Sequence, residues 1–193
     1  YLKSKGYNVE VIWQCQDKLH GKKPEIVMPL DPRDSFYGGR TNSTKIFSKC
    51  KPDQRMRYAD ITSLYPTVNY YEAYPVGHPT IVTEDFENIN MYFGFAKVTI
   101  LPPKQLYHPV LPYRSTKLTF PLCRTCVDDK CQDYCTHTDE QRRLTGTWTT
   151  IELQKAVEMG YKMIKIHEVW HFEDQTTGIF KDYRKVPQGE TGI

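Results

Sequence analysis

The sequence predicts an α+β fold, because one chain of globular composition carries both strand patterns and a capped helix. Hydrophobic residues make up 39% and charged residues 25% of the 193 residues, which is the balance of a folded domain with an appendage. Residues 55–60 alternate between two faces, as in a β-strand. Residues 149–160 combine a helical stripe with signals for both ends of a helix.

The N-terminal part of the chain is predicted to contain one strand and a long connection. Residues 1–20 are expected to contain the end of a helix, a turn and a strand over residues 7–15. Residues 21–54 are predicted to form an irregular linker, because glycine and proline recur along it. The pair Gly38-Gly39 in this linker allows a backbone path that other residues resist.

The next element is a predicted strand that ends at a carboxylate and turns at once into a short helix. Asp60 is the last residue of the strand pattern in residues 55–60. Ser63 is then in position to cap a helix, and Pro66 falls near the first turn, where its missing N–H is not needed. The prolines and the glycine of residues 74–79 are expected to end this helix.

The second half of the chain has the clearest local signals. Thr149 and Glu152 have the spacing of a capping box, and Gly160 stands where a glycine ends a helix. The predicted elements of this half are a strand over residues 91–101, a helix over 149–160, a strand over 162–172 and the start of a helix in 177–183.

Basic residues are concentrated in two stretches, although the net charge is only +3. Between Val98 and Val127 the chain contains no acidic residue. Such stretches could line a ligand that carries phosphates, or they could be ordinary solvated surface. The residues concerned are Arg40, Lys45, Lys49, Lys51, Arg55 and Arg57 in the first stretch, and Lys104, Arg114, Lys117 and Arg124 in the second.

The sequence shows no feature of a membrane or secreted protein. No apolar run approaches the roughly 20 residues that a membrane helix needs, and no signal peptide is visible. We therefore expect an intracellular protein with no membrane partner, and a nuclear one if the host is eukaryotic.

Asp60 is a candidate for charge chemistry because it lies between a strand end and a helix N-terminus. Mg²⁺ prefers oxygen ligands, so Asp60 could hold this ion. The amides around Ser63, Leu64 and Tyr65 could then bind a triphosphate bridged to it. The plainer interpretation is that Asp60 is an ordinary turn residue and Tyr65 a core aromatic residue.

The segment Asp60-Ile61-Thr62-Ser63-Leu64-Tyr65-Pro66 resembles motif A of the family B DNA polymerases at every fixed position. The stretch "FYGGRTN" at 36–42 is similar to the aromatic-x-Gly-Gly motif of that family, which contacts single-stranded template. The cysteine cluster and "TGIFKDY" at 177–183 follow in the order found in the protein-primed branch. The residues of the cysteine cluster, "FPLCRTC...CTH", are most similar to those of Polinton (Maverick) transposon polymerases. The resemblance covers about residues 30–183.

The resemblance implies a partial polymerase palm, built of antiparallel strands with helices, and assigns roles within motif A. Asp60 would bind both catalytic Mg²⁺ ions, with the Ile61 carbonyl assisting one of them. Ser63 and Leu64 would bind the incoming deoxynucleoside triphosphate through their amides. Tyr65 would pack beneath the sugar and exclude a 2′-hydroxyl group.

The resemblance also implies partners: a DNA template and primer, deoxynucleoside triphosphates and a terminal priming protein. Phe36, Gly38, Gly39 and Arg40 would contact DNA. The implied organisation is a remnant of a nuclease-like insertion in 1–20, a linker in 21–54, a palm segment in 55–100, an insertion in 101–176 that contacts the terminal protein and DNA, and a truncated link to the fingers in 177–193.

Two motifs that the family needs are missing from the 193 residues. These are a second metal-binding aspartate in an Asp-Thr-Asp motif and a lysine in a Lys-x-x-x-Asn-Ser-x-Tyr-Gly motif. Because two-metal phosphoryl transfer clamps the ions from both sides, we expect a fragment that is inactive alone. Two rival hypotheses are a non-catalytic nucleic-acid or protein-binding module derived from such a polymerase, and an unselected transposon remnant.

Four of the six cysteines lie close together, which favours a structural zinc site over long-range disulfides. Cys123 and Cys126 have the C-x2-C spacing of a zinc knuckle. The second pair of ligands is open: Cys131 with Cys135 gives four thiolates, whereas Cys135 with His137 is similar to the transposon relatives. A labile disulfide pair or reduced thiols are the plainer alternatives, and Cys15 and Cys50 are expected to be core residues.

Overall fold

The computed structural model describes residues 28–181, apart from Asn42, Thr44 and Gln132. Outside these residues lie the predicted strand over residues 7–15, the nuclease-like remnant expected in 1–20, Cys15, and most of the link to the fingers expected in 177–193. The described part is α+β, as the sequence predicts, with short helices and antiparallel strands.

The described chain contains four α-helices and eight strands, together with 3-10 turns at Pro32–Ser35 and Ile89–Met91. The helices are α1 (Leu64–Tyr71), α2 (Arg124–Asp128), α3 (Asp139–Arg142) and α4 (Thr150–Glu158). The strands are β1 (Tyr74–Pro75), β2 (Thr80–Val82), β3 (Gly94–Leu101), β4 (Tyr113–Arg114), β5 (Leu118–Thr119), β6 (Leu144–Thr149), β7 (Lys162–His171) and β8 (Gln175–Thr176). Within the residues described, every helix is too short or too polar to cross a membrane.

The main sheet has four antiparallel strands in the order β2-β7-β3-β6. Strand β3 is central and pairs along its length with both β6 and β7. Two smaller pairs, β1 with β8 and β4 with β5, lie outside this sheet. The sheet therefore combines β2 and β3 from the predicted palm segment, residues 55–100, with β6 and β7 from the predicted insertion, residues 101–176.

The core forms between the main sheet and α4. Ala96, Val98 and Ile100 recur at every second position of β3 and are fully buried, as expected for one face of a pleated strand. Leu153 and Ala156 of α4 pack into the same cluster. Trp148 of β6 is also fully buried, and its indole N–H donates to the Pro112 carbonyl at 2.8 Å, so the large ring carries no unpaired polar group.

Several of the predicted elements are confirmed. Helix α4 has the capping box between Thr149 and Glu152, and Gly160 follows it with a φ of 90°. Such a left-handed residue ends a helix at least cost when it is glycine. The strands predicted over residues 91–101 and 162–172 correspond to β3 and β7.

The prediction of a strand over residues 55–60 is wrong, because these residues are exposed and pair with no described strand. A strand needs a partner for its backbone hydrogen bonds, and alternation in sequence does not supply one. Ser63 precedes α1 as predicted, but its φ is 57° and its side chain makes no capping hydrogen bond. Cys50 is exposed rather than a core residue.

The described part of the linker is held against the main sheet by one row of residues. Lys97 of β3 faces Thr147 of β6 on one side and Glu168 of β7 on the other. The Lys97 ammonium group donates to the Met28 carbonyl at 2.7 Å, and the Leu30 amide donates to the Glu168 carboxylate at 2.8 Å.

Further along the linker, the Tyr37 hydroxyl donates to the Thr147 carbonyl at 3.3 Å. The same row of the sheet therefore anchors the linker at three points, namely Met28, Leu30 and Tyr37.

Arg142, at the end of α3, ties the cysteine-rich segment to the sheet. Its side chain is only 4% exposed, and its guanidinium group donates to the carbonyls of Pro102, Pro103 and Leu122 at 2.9, 2.8 and 3.3 Å. It also pairs with Asp139 at 3.1 Å. A buried guanidinium group is tolerated because its donors are used in this way.

Replacing Arg142 by glutamine should lower the free energy of unfolding by about 2 to 4 kcal/mol, because it leaves buried carbonyls without a donor. The matched control is Arg124→Gln, whose side chain is about half exposed and only pairs with Asp128 at 3.8 Å. This control should cost less than about 1 kcal/mol. Chemical denaturation of the full chain measures both, and equal losses would show that Arg142 is not a special anchor.

Candidate functional site

The motif around Asp60 is displayed on the surface. Asp60 is exposed and forms no ion pair with any residue that the structure describes. Tyr65 is 78% exposed, so the interpretation of this residue as a core aromatic is wrong. Among the described residues, Asp60 belongs to no group of three or more His, Cys, Asp or Glu side chains that could hold a metal ion.

Helix α1 presents free backbone donors at the end nearer to Asp60. Thr67 is the first residue whose N–H is used by the helix, and it donates to the Ser63 carbonyl at 2.9 Å. The amides of Leu64 and Tyr65 come before this bond and have no partner inside the helix, while Pro66 has no N–H at all. This end of α1 therefore offers amide donors to solvent or to an anion.

The other half of α1 is anchored to the end of the described chain. The Tyr74 hydroxyl donates to the Asn69 side-chain oxygen at 2.6 Å, and the rings of Tyr74 and Phe180 lie 5.1 Å apart. A cavity of about 550 Å³ lies beside these contacts. It is lined by Ser63, Pro66, Thr67, Asn69, Tyr70, Tyr71 and Phe180.

The loop of residues 36–40, which we call the Gly-Gly loop, is the second candidate region. Phe36 is 60% exposed, and the centre of its ring lies 5.6 Å from the centre of the Phe95 ring in an edge-to-face arrangement. The Arg40 guanidinium group lies 4.1 Å from the centre of the Phe120 ring and donates to the Pro109 carbonyl. Burial raises the pKa of Tyr37 to about 12, so this phenol stays neutral and acts as a donor.

The two glycines of this loop are not explained by backbone conformation. Neither Gly38 nor Gly39 has a φ in the left-handed region, so the expectation of an unusual backbone path there is wrong. A Cβ atom at Gly38 would lie 3.7 Å from Leu118, which is ordinary contact, and one at Gly39 would meet no described atom within 4 Å. The surface at Gly39 is therefore open to the close approach of another molecule.

The Gly-Gly loop forms one wall of a groove of about 480 Å³. Glu152 and Lys155 of α4 also line this groove. Burial raises the pKa of Glu152, although hydrogen bonds from Thr149 lower it in part. The groove therefore carries exposed cations, including Arg40, and a carboxyl group that is occupied in capping α4.

The third candidate is a group of three cysteines and one histidine: Cys123, Cys126, Cys135 and His137. Their ligand atoms all lie within 4.8 Å of one another, and the three sulfur atoms are 3.6, 3.3 and 3.6 Å from Nδ1 of His137. In a tetrahedral zinc site with usual bond lengths, sulfur and nitrogen ligands are about 3.6 Å apart. The group can therefore hold a metal ion.

The local fold explains why these four residues converge. Cys123 is the N-cap of α2, and its sulfur accepts a hydrogen bond from the amide of Cys126 at 3.4 Å. The Thr125 hydroxyl donates to the Gln141 carbonyl at 2.8 Å, so α2 is joined to α3. Cys131 is exposed and stays outside the group, although its amide donates to the Cys126 carbonyl at 2.8 Å.

The thiols of the group lie so close together that the deprotonation of one opposes the deprotonation of the others. Burial and hydrogen bonds to Cys135 and Cys123 raise the pKa of Cys126 to about 12. Burial also acts on Cys135, but hydrogen bonds from His137 and the two cysteines outweigh it and lower the pKa of Cys135 to about 7. A cation is the group that lets several thiolates coexist at such distances.

Sequence reasoning missed the hairpin of β4 and β5, which contacts the Gly-Gly loop. Arg114 donates to the Phe36 carbonyl at 3.0 Å, and Phe120 lies under Arg40. The only signal for this region in the sequence was the basic stretch without acids between Val98 and Val127.

A comparison with protein families matches residues 23–185 to the family described as DNA polymerase type B, organellar and viral. The matched residues are more than half of the chain and include all three candidate regions. No match was found among curated proteins or among solved structures.

The cysteine and histidine group predicts which cysteines are needed for metal binding. The full chain should bind about one Zn²⁺, and Cys135→Ser should weaken that binding at least about a hundredfold because a ligand is lost. Cys131→Ser should bind Zn²⁺ like the unchanged chain, because Cys131 lies outside the group. Competition with a chromophoric chelator measures both affinities. An equal loss in the two variants would contradict this ligand set.

Proposed function

The chain belongs to the family of DNA polymerases of type B, organellar and viral, and from this premise we propose that it forms the motif A part of a polymerase that primes synthesis with a protein. The family match over residues 23–185 supports the polymerase part of this proposal. The reaction is the attack of a primer hydroxyl group on the α-phosphate of a deoxynucleoside triphosphate, which releases pyrophosphate.

Asp60 suits the role of a metal ligand because its carboxylate is exposed and is not paired with a described cation. In the proposed site Asp60 and the Ile61 carbonyl hold Mg²⁺, which would supply charge neutralisation to the triphosphate. One carboxylate is not sufficient for two ions. Activity therefore requires an Asp-Thr-Asp motif and a fingers lysine, which the 193 residues do not contain.

The start of α1 suits the binding of the nucleotide. The N-terminal amides at Leu64 and Tyr65 can donate to phosphate oxygens, and the helix dipole favours the negative charge. In the proposal Ser63 and Leu64 bind the triphosphate through their amides. The exposed ring of Tyr65 forms a flat wall beneath the sugar, where it leaves no space for a 2′-hydroxyl group.

The Gly-Gly loop is proposed to bind single-stranded template DNA. Phe36 offers an exposed ring for stacking on a base, and Arg40 a cation for a phosphate. The open surface at Gly39 lets a nucleic-acid strand approach the backbone closely. The metal ion of the cysteine and histidine group is proposed to be a structural Zn²⁺, because four protein ligands leave no open position.

The protein-primed mechanism and a terminal priming protein as partner are the finer part of the proposal. They are supported by the order of motif A, the cysteine cluster and "TGIFKDY" along the chain. A nucleic-acid-binding module without catalysis is the second candidate function. It is favoured because Asp60 is part of no group of three or more potential metal ligands among the described residues, and an early stop in the downstream coding sequence would decide for it.

Asp60→Asn should reduce nucleotide incorporation about a thousandfold in the polymerase that also contains the Asp-Thr-Asp and fingers motifs, since it removes a metal ligand. Binding to primer-template should be unchanged. The matched control is Asp53→Asn, which removes another exposed carboxylate of the same segment. Primer extension and a binding titration measure the two effects, and substantial synthesis by the Asp60 variant would refute its role.

Gly39→Ala should weaken the binding of a single-stranded oligodeoxynucleotide about tenfold, because the added methyl group lies where the strand approaches. The unfolding temperature should not fall, since no described atom lies within 4 Å of that methyl group. The control is Gly146→Ala, whose Cβ would lie 2.9 Å from the Trp148 ring and should lower stability instead. Unchanged DNA binding by Gly39→Ala would remove this loop from the interface.

A further inference from the structure

Both strands of the β4–β5 hairpin contact the Gly-Gly loop. Arg114 of β4 donates from its guanidinium group to the Phe36 carbonyl at 3.0 Å and lies 5.1 Å from the centre of the Tyr37 ring. Leu118 of β5 lies 3.7 Å from the place that a Cβ atom would take at Gly38. The hairpin therefore contacts three successive residues of the loop.

The hairpin is itself joined to the cysteine-rich segment. Tyr113 precedes Arg114 in β4, and its hydroxyl donates to the Asp128 carboxylate at the end of α2, at 3.5 Å. Thr119 closes the hairpin by donating its hydroxyl to the Tyr113 carbonyl at 3.2 Å. Arg114 thus extends towards the loop from a base that is fixed on its other side.

Arg114 makes no ion pair with any residue in the described part of the chain, although it is exposed. Its two contacts use the shape of the guanidinium group rather than its charge alone. A planar group with several donors can bond a carbonyl and lie against an aromatic ring at the same time. A lysine ammonium group on a flexible chain cannot keep both contacts.

We propose that Arg114 is a positioning residue for nucleic-acid binding: it holds the Phe36 carbonyl and the Tyr37 ring, so that the Gly38-Gly39 backbone faces a single strand of DNA. The inference rests on the proposed function of the Gly-Gly loop. It adds a residue that acts on DNA through the loop rather than by contact with the strand.

The test compares Arg114→Lys with Lys117→Arg in the full chain. Lys117 lies in the turn of the same hairpin, its side chain makes no hydrogen bond or ion pair with described residues, and its exchange also preserves charge. The probe is a fluorescein-labelled oligodeoxythymidine of about 15 nucleotides, and its anisotropy is titrated at several salt concentrations. The unfolding temperature of each variant is measured alongside.

Arg114→Lys is expected to bind the oligonucleotide about five- to tenfold more weakly, with an unchanged salt dependence and an unchanged unfolding temperature. Lys117→Arg is expected to bind like the unchanged chain. In nuclear magnetic resonance spectra of the free protein, the amide signals of Gly38 and Gly39 should shift in Arg114→Lys only, because the loop is no longer held.

Three other results would overturn the inference. Full binding by Arg114→Lys would mean that only the positive charge matters, as in a simple phosphate contact. Weaker binding with unmoved Gly38 and Gly39 signals would mean that Arg114 contacts the strand itself. Failure of the unchanged chain to bind the oligonucleotide would refute the proposed function of the loop as well, so the two failures are distinguishable.

Discussion

One row of residues across the main sheet determines where the linker lies. Lys97 in the central strand β3 faces Thr147 of β6 and Glu168 of β7, and each of the three holds a different point of residues 28–37. A shift of register by one residue would turn the side chains of Lys97 and Glu168 to the other face of the sheet. The buried face of β3 resists such a shift, so the core of the fold fixes the approach to the Gly-Gly loop.

The parts of the fold that sequence predicts are those with local signals. Helix α4 has a capping box and a terminal glycine within its own residues, and β3 and β7 are long. Strand β6 was missed because Gly146 and its threonines do not give an apolar alternation, and its glycine is needed where the Trp148 ring comes within 2.9 Å of a Cβ position. The false strand at residues 55–60 shows the converse, since it has the alternation but no described partner.

The candidate sites, too, are predicted by the sequence only where their signal is local. The C-x2-C spacing of Cys123 and Cys126 is visible in the sequence, but the choice between Cys131 and His137 depends on how α2 and α3 pack together. The contact between Arg114 and Phe36 joins residues 78 positions apart, and no pattern within one segment indicates it. Contacts of this kind come from the tertiary structure alone.

We propose that this chain binds DNA at the Gly-Gly loop. Nuclear magnetic resonance of the isotope-labelled full chain, titrated with a short single-stranded oligodeoxynucleotide, tests it most directly. If the loop binds DNA, the largest amide shifts should occur at Gly38, Gly39 and Arg40, with little change along the exposed β2 edge of the sheet. Shifts concentrated at β2, or the absence of shifts in the loop at saturating oligonucleotide, would contradict it.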